Sequence, residues 1–192
     1  MHLGLLFIGS GKDRRRVLAH QPWHDVPLYD DNPSKGLWVR PTVPVATLEA
    51  VALRLRQMHA TAPGERLPFG FEKGSTKITR RGRWAISGGS GLNCSTFVMV
   101  VFESVNCPLI DLPTWEERGE TRRTEDIGVQ MSLVDALASD HPKVAERLKG
   151  EVGATRFRPE EIAAATGLLP HAVVYSQAEP EGRQVAKRVR AL

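Results

Sequence analysis

The sequence predicts an α+β fold, in which a small antiparallel sheet packs on one apolar helix and further helices flank it. Three observations predict it. The runs His2–Ile8 and Arg16–His20 have the length and alternation of short strands. Residues Val45 to Ala60 carry Leu48, Val51, Leu55 and Met58 at helical spacing, with Arg54, Arg56 and Gln57 outside. The run Phe97-Val98-Met99-Val100-Val101-Phe102 is apolar at every position, which marks a buried element. A chain of 192 residues is long enough for one proper core and short for two. One domain is expected over residues 1–178, followed by a polar, basic tail over 179–192 that frays.

The first strand, His2 to Ile8, reads as buried on both faces and ends at Gly9-Ser10-Gly11. A basic hairpin turn leads to the second, which Gln21-Pro22 stops. Period-2 geometry puts His2, Gly4, Leu6 and Ile8 on one face of the first strand, and Leu18 and His20 on one face of the second. If the two pair as a hairpin, His2 and His20 meet at its open end. Residues 23–44 contain Pro27, Pro33, Pro41 and Pro44 and read as irregular, with a short strand at Gly36–Arg40. Pro63-Gly64 closes the amphipathic helix, and Leu67-Pro68-Phe69-Gly70-Phe71 is an aromatic turn.

Beyond the apolar helix, Asp111 to Ile127 is charged and expected to be exposed. Ser132–Leu137 and Pro142–Leu148 suggest two short helices. Arg158-Pro159-Glu160-Glu161-Ile162 is a helix start, with proline in the first turn and acids facing the dipole. Ala172-Val173-Val174-Tyr175 reads as a final strand.

The most informative stretch is Asn93-Cys94-Ser95-Thr96-Phe97-Val98. Asn93 is a good N-cap, so Cys94 falls in the first turn of the apolar helix. Unpaired N–H groups and the positive dipole end lower a thiol pKa from about 8.5 toward the reactive range. Nucleophilic cysteines are commonly built this way, although a free cysteine is more often a small buried hydrophobe. A thiol nucleophile needs a base, and histidine suits neutral pH. Of six histidines, His59 borders the apolar face of the long helix, while His24, His141 and His171 sit beside prolines or in loops. His2 and His20 stand out as polar residues at the ends of apolar strands.

The order of these parts resembles the circularly permuted branch of the NlpC-type papain-like superfamily of cysteine amidases and peptidases. The His2–Ile8 run resembles that branch's His-x-Gly histidine strand. Asn93–Val98 is similar to its cysteine-helix motif, including the Asn-Cys-x-x-Phe-Val form of the lecithin retinol acyltransferase relatives. Residues 67–71 resemble its aromatic turn, and residues 158–162 a late proline-started helix of bacterial members, so the likeness runs from residue 2 to about residue 175. It implies a permuted papain-like fold and a cysteine hydrolase or acyltransferase working through a thioester. Cys94 would attack a carbonyl, His2 would be base and then acid, and His20 would orient His2, with Gln21 as the fallback. Members of the branch usually carry a strand ending in Gly-Asp before the histidine strand. Here His2 directly follows Met1: either the true start lies upstream, or the fold is trimmed and its sheet has an open edge, where a nearby α-amino charge would lower the His2 pKa.

An amide, peptide or cell-wall-type peptide, is the leading substrate class. A lipid-directed acyltransferase would need an apolar entrance or a membrane-binding helix, which the sequence does not clearly offer. A non-catalytic binding protein would keep the fold without the chemistry. No metal or organic cofactor is implied: Cys94 and Cys107 form neither a disulfide framework nor a zinc pattern. Net charge is +4 and the pI about 9.3, but the basic residues are scattered, share no helical face and accompany no nucleic-acid motif. No apolar run approaches the roughly 20 residues of a membrane span. Leu3 to Ile8 is too short for a signal-peptide core, so cytoplasm is the default expectation.

Overall fold

The structure, a computed structural model, describes residues 2–8, 16–21, 28–30, 39–64, 66–86, 91–169 and 171–191. The expected turn at 9–11, His24, and the first three residues of the expected strand at 36–40 lie outside them. The architecture is α+β. Strands β1 (Gly4–Ile8), β2 (Arg16–His20) and β3 (Tyr29–Asp30) form an antiparallel sheet in the order β1-β2-β3. Helix α1 (Val45–Thr61) and the small β4 (Lys77–Ile78) and β5 (Trp84–Ala85) hairpin follow. Next come α2 (Cys94–Glu103), α3 (Leu112–Glu116), α4 (Glu120–Ala138), α5 (Pro142–Lys149), α6 (Pro159–Leu168) and α7 (Tyr175–Arg190).

Helix α2 is the centre of the molecule because it is apolar all round. Every residue from Ser95 to Phe102 is buried, and the helix packs on β1, β2, β4, α1 and α6. Val51, Leu55 and Met58 of α1 supply the facing stripe, as their spacing predicts. A second apolar cluster joins Val134 and Leu137 of α4 to Ala145 and Leu148 of α5, with Phe69 and Phe71 of the aromatic turn inserted.

Several expectations are corrected. Strand β1 is not buried on both faces: Phe7 is buried, but Ile8 is 47% exposed. Residues 111–127 are mostly exposed, as expected, but with two buried exceptions. Trp115 of α3 is fully buried, and Asp126 of α4 is buried where three arginines converge. The expected short helix at 132–137 is the second half of the 19-residue α4. The expected final strand shrinks to a single parallel bridge between Ile110 and Val173. Residues from Glu179 onward do not fray; they continue α7 to Arg190 and lie against α6.

Candidate active site

Cys94 occupies the first position of α2, and Asn93 caps the helix reciprocally. The Asn93 carboxamide oxygen accepts from the N–H groups of Ser95 and Thr96, each at 3.0 Å. The Asn93 N–H donates to the Thr96 hydroxyl at 2.9 Å. This capping box uses the second and third N–H groups of the helix and leaves that of Cys94 out of the cap.

The two histidines meet through strand register. Gly4 lies opposite His20 and Leu6 opposite Leu18, so the face carrying His2 is the face carrying His20. A side chain at position 4 would collide there: a Cβ would sit 2.9 Å from both the Ala19 carbonyl oxygen and the His20 Cβ. With glycine in that place, His2 Nε2 lies 2.5 Å from His20 Nδ1, and the two rings stand edge to face. One of these nitrogens must carry the shared proton.

The thiol joins this pair through the residue next to His2. The backbone N–H groups of Leu3 and Ser95 both bear on the Cys94 sulfur and favour its thiolate. The buried Ser95 hydroxyl makes no hydrogen bond among the described residues, and its nearness acts on the thiol in the same sense. All three favour the thiolate, yet burial outweighs them and pushes the Cys94 pKa up. The expectation of a thiol lowered by its helix position is therefore corrected.

Although part of His2 faces solvent, burial of the rest and the neighbouring His20 lower its pKa from 6.5 to about 4. Burial also lowers His20, against the charge of Asp30, which raises it. Thiol and imidazoles are therefore all neutral near pH 7. Between pH 6.5 and about 4, the unfolded chain takes up a proton that folded His2 refuses. By linkage, this contribution to stability is complete above 6.5 and lost as pH falls toward 4. Urea midpoints of wild type and His2→Gln should therefore diverge across that window, with the wild type losing more. Parallel curves would show that His2 is not desolvated.

Of the other expected roles, Gln21 is buried, but its amide N–H donates to the Leu67 carbonyl at 3.1 Å, and it is His20 that meets His2. His59 lies at the core edge between the rings of Phe7 and Tyr29. Cys107 sits past the far end of α2, and burial pushes its thiol up as well. Asp30 is the site residue that sequence reasoning missed. It pairs with Leu18 in the sheet, diagonal to His20, inside a segment whose prolines read as loop.

Basic residues that read as scattered come together elsewhere. Arg122, Arg158, Arg183, Lys187 and Arg190 line a cleft of about 440 Å³ between α4, α6 and α7, together with four glutamates. Arg122 pairs with Glu161 at 2.7 Å, Arg158 with Glu125 at 3.0 Å and Arg183 with Glu179 at 2.5 Å. No cluster of three or more His, Cys, Asp or Glu able to hold a metal ion occurs among the described residues. Nor is any helix among them long and apolar enough to cross a membrane. No protein-family model, curated protein or solved structure matches the chain.

Proposed function

We propose that this chain is a cysteine hydrolase that cleaves an amide bond, of a peptide or cell-wall-type peptide, with a permuted papain-like arrangement of Cys94, His2 and His20. One observation carries the reading. His20 meets His2 at 2.5 Å, and the backbone N–H of Leu3, the residue next to His2, bears on the Cys94 sulfur, which supports a site built from all three.

The chemistry follows from the two nitrogens. If His2 Nε2–H donates to His20 Nδ1, then Nδ1 of His2 is left without a proton and is the base. It takes the thiol proton as sulfur bonds to the substrate carbonyl carbon. The C=O π pair moves onto oxygen, and the Cys94 N–H, outside the cap, donates to that oxyanion. Collapse expels the amine, which takes the proton from His2 and leaves a thioester. A water molecule, giving a proton to His2, then attacks the thioester carbonyl; the C–S bond breaks, the carboxylic acid leaves, and sulfur takes that proton back from His2. Because thiol and base are both neutral at rest, proton transfer belongs to the attack step. Asp30, whose charge favours the protonated form of His20, helps spread the positive charge that His2 gains.

The same neutral ground state favours a second reading, a binding protein that kept the fold without the reaction. An activated acyl probe separates them. With p-nitrophenyl acetate near neutral pH, the hydrolase should show a burst of nitrophenolate, a transient acetyl group on Cys94 by mass spectrometry, and turnover. His2→Ala should slow both steps by about 10²–10⁴-fold. A wild-type Cys94 that is never acetylated, or is acetylated equally fast without His2, would leave only the binding role.

A further inference from the structure

Two residues distant in sequence from the site, Arg147 of α5 and Glu151 just beyond it, grip the aromatic turn that leads to it. Arg147 Nη1 pairs with Glu151 Oε1 at 2.7 Å, and Arg147 Nη2 donates to the Phe69 carbonyl. Glu151 Oε2 accepts from the backbone N–H groups of Phe71 at 2.7 Å and Glu72 at 3.2 Å. The Glu151 side chain is 10% exposed, so these bonds are largely shielded from water. Phe69 and Phe71 are meanwhile seated in the apolar cluster of α4 and α5, their rings edge to face.

The other side of the turn lies directly on the chain entering α2. Leu92 N–H donates to the Pro68 carbonyl at 2.9 Å, and Gly70 N–H to the Leu92 carbonyl at 3.3 Å. The Asn93 amide donates to the Gly70 carbonyl at 3.4 Å. The backbones touch so closely that a Cβ at Gly91 would sit 2.1 Å from the Pro68 oxygen, and one at Gly70 2.5 Å from the Gly91 nitrogen. With no side chains between them, a shift of the turn must shift residues 91–93. Asn93 then sets the Ser95 and Thr96 N–H groups and the position of Cys94.

We propose that Arg147 and Glu151 are positioning residues for the Cys94 thiol, acting through the 68–72 turn and the Asn93 cap. This rests on the hydrolase reading for its purpose, but its physical content is separate. The helical pair α4–α5 thereby holds the reactive end of α2 in place, beyond closing a second apolar cluster.

The test compares Glu151→Ala and Arg147→Ala with the milder Glu151→Gln and Arg147→Lys. Amide exchange is followed by NMR at Phe71, Glu72, Ser95 and Thr96, with α7 as the remote reference. Cys94 acetylation by p-nitrophenyl acetate is timed in the same variants across pH. The alanine variants should speed Ser95 and Thr96 exchange and slow acetylation, each by about tenfold, with α7 unchanged. Glu151→Gln should restore most of both, since its carbonyl still accepts the two turn N–H groups. Faster exchange at Phe71 and Glu72 with Ser95 and Thr96 unmoved would overturn the proposal. So would an equal rise in α7, which would mean general loosening. If an alanine variant does not fold, the milder pair decides by the same criteria. A wild-type protein that is never acetylated would remove the hydrolase reading, while the exchange data would still decide the clamp.

Discussion

Cys94→Ala is expected to reduce amine release from peptide amides by at least about 10³-fold, with little change in stability. The sulfur is the only protein atom in the proposed mechanism that bonds to substrate, so nothing replaces it. Stability should hold because the helix start is fixed by Asn93 and Thr96, whose three capping bonds do not involve the Cys94 side chain. The control is Cys107→Ala. Cys107 lies beyond the far end of α2, roughly 15 Å away along a ten-residue helix, and should leave hydrolysis intact. Release of amine by chromatography and unfolding by circular dichroism together settle the outcome. Activity surviving in Cys94→Ala, or lost equally in Cys107→Ala, would reject Cys94 as the nucleophile.

The parts of this site legible in the sequence are those set by local rules. A period of two places His2 above Gly4 and His20 above Leu18, and pairing the two strands brings the rings together. An asparagine before an apolar run locates the helix mouth and therefore the thiol. The sign of the thiol shift was not legible, because it depends on how deeply the fold packs around Cys94, which no local pattern reports. Asp30 was hidden for a related reason: a two-residue strand among prolines has no periodicity to show.

The same contrast runs through the fold. Helix α1 declares itself by its apolar stripe, and α6 by the proline and acids of its first turn. Helix α7 does not: from Glu179 onward its sequence is polar and basic and reads as a fraying tail, and Pro180 lies inside it. Yet Gly182 is needed where α7 crosses the start of α6: a Cβ there would lie 3.1 Å from the Glu161 Cα. Residues 111–127 read as exposed because they are charged, and most of them are. Arg118, Arg122 and Asp126 are drawn in by charges of their own segment, of the residues entering α6, and of α6 and α7, and the network around Asp126 gives the largest stability effect expected here.

Asp126→Ala is expected to destabilise the protein by about 3 kcal/mol or more, lowering the unfolding temperature by roughly 6–12 °C. Asp126 is 3% exposed and meets Arg118 at 3.2 Å, Arg156 at 3.2 Å and Arg158 at 2.8 Å. Removing it leaves the Arg118 side chain, 6% exposed, as a cation with its nearest counter-charge gone. Burial already lowers the Arg118 pKa, and the Asp126 carboxylate is the largest influence opposing that. Arg118 retains its bond to the Arg156 carbonyl at 2.7 Å and its place over the Tyr175 ring, which orient the guanidinium but do not neutralise it. Glu125, one residue earlier and 54% exposed at its side chain, pairs with Arg158 in water and should be nearly silent when removed. Thermal unfolding of the two variants therefore tests burial against mere charge count. Equal shifts would mean that the convergence on Asp126 adds nothing beyond an ordinary surface pair. A large shift for Asp126 alone would establish it as the residue that ties α4 to the segment entering α6, and hence to the body of the fold.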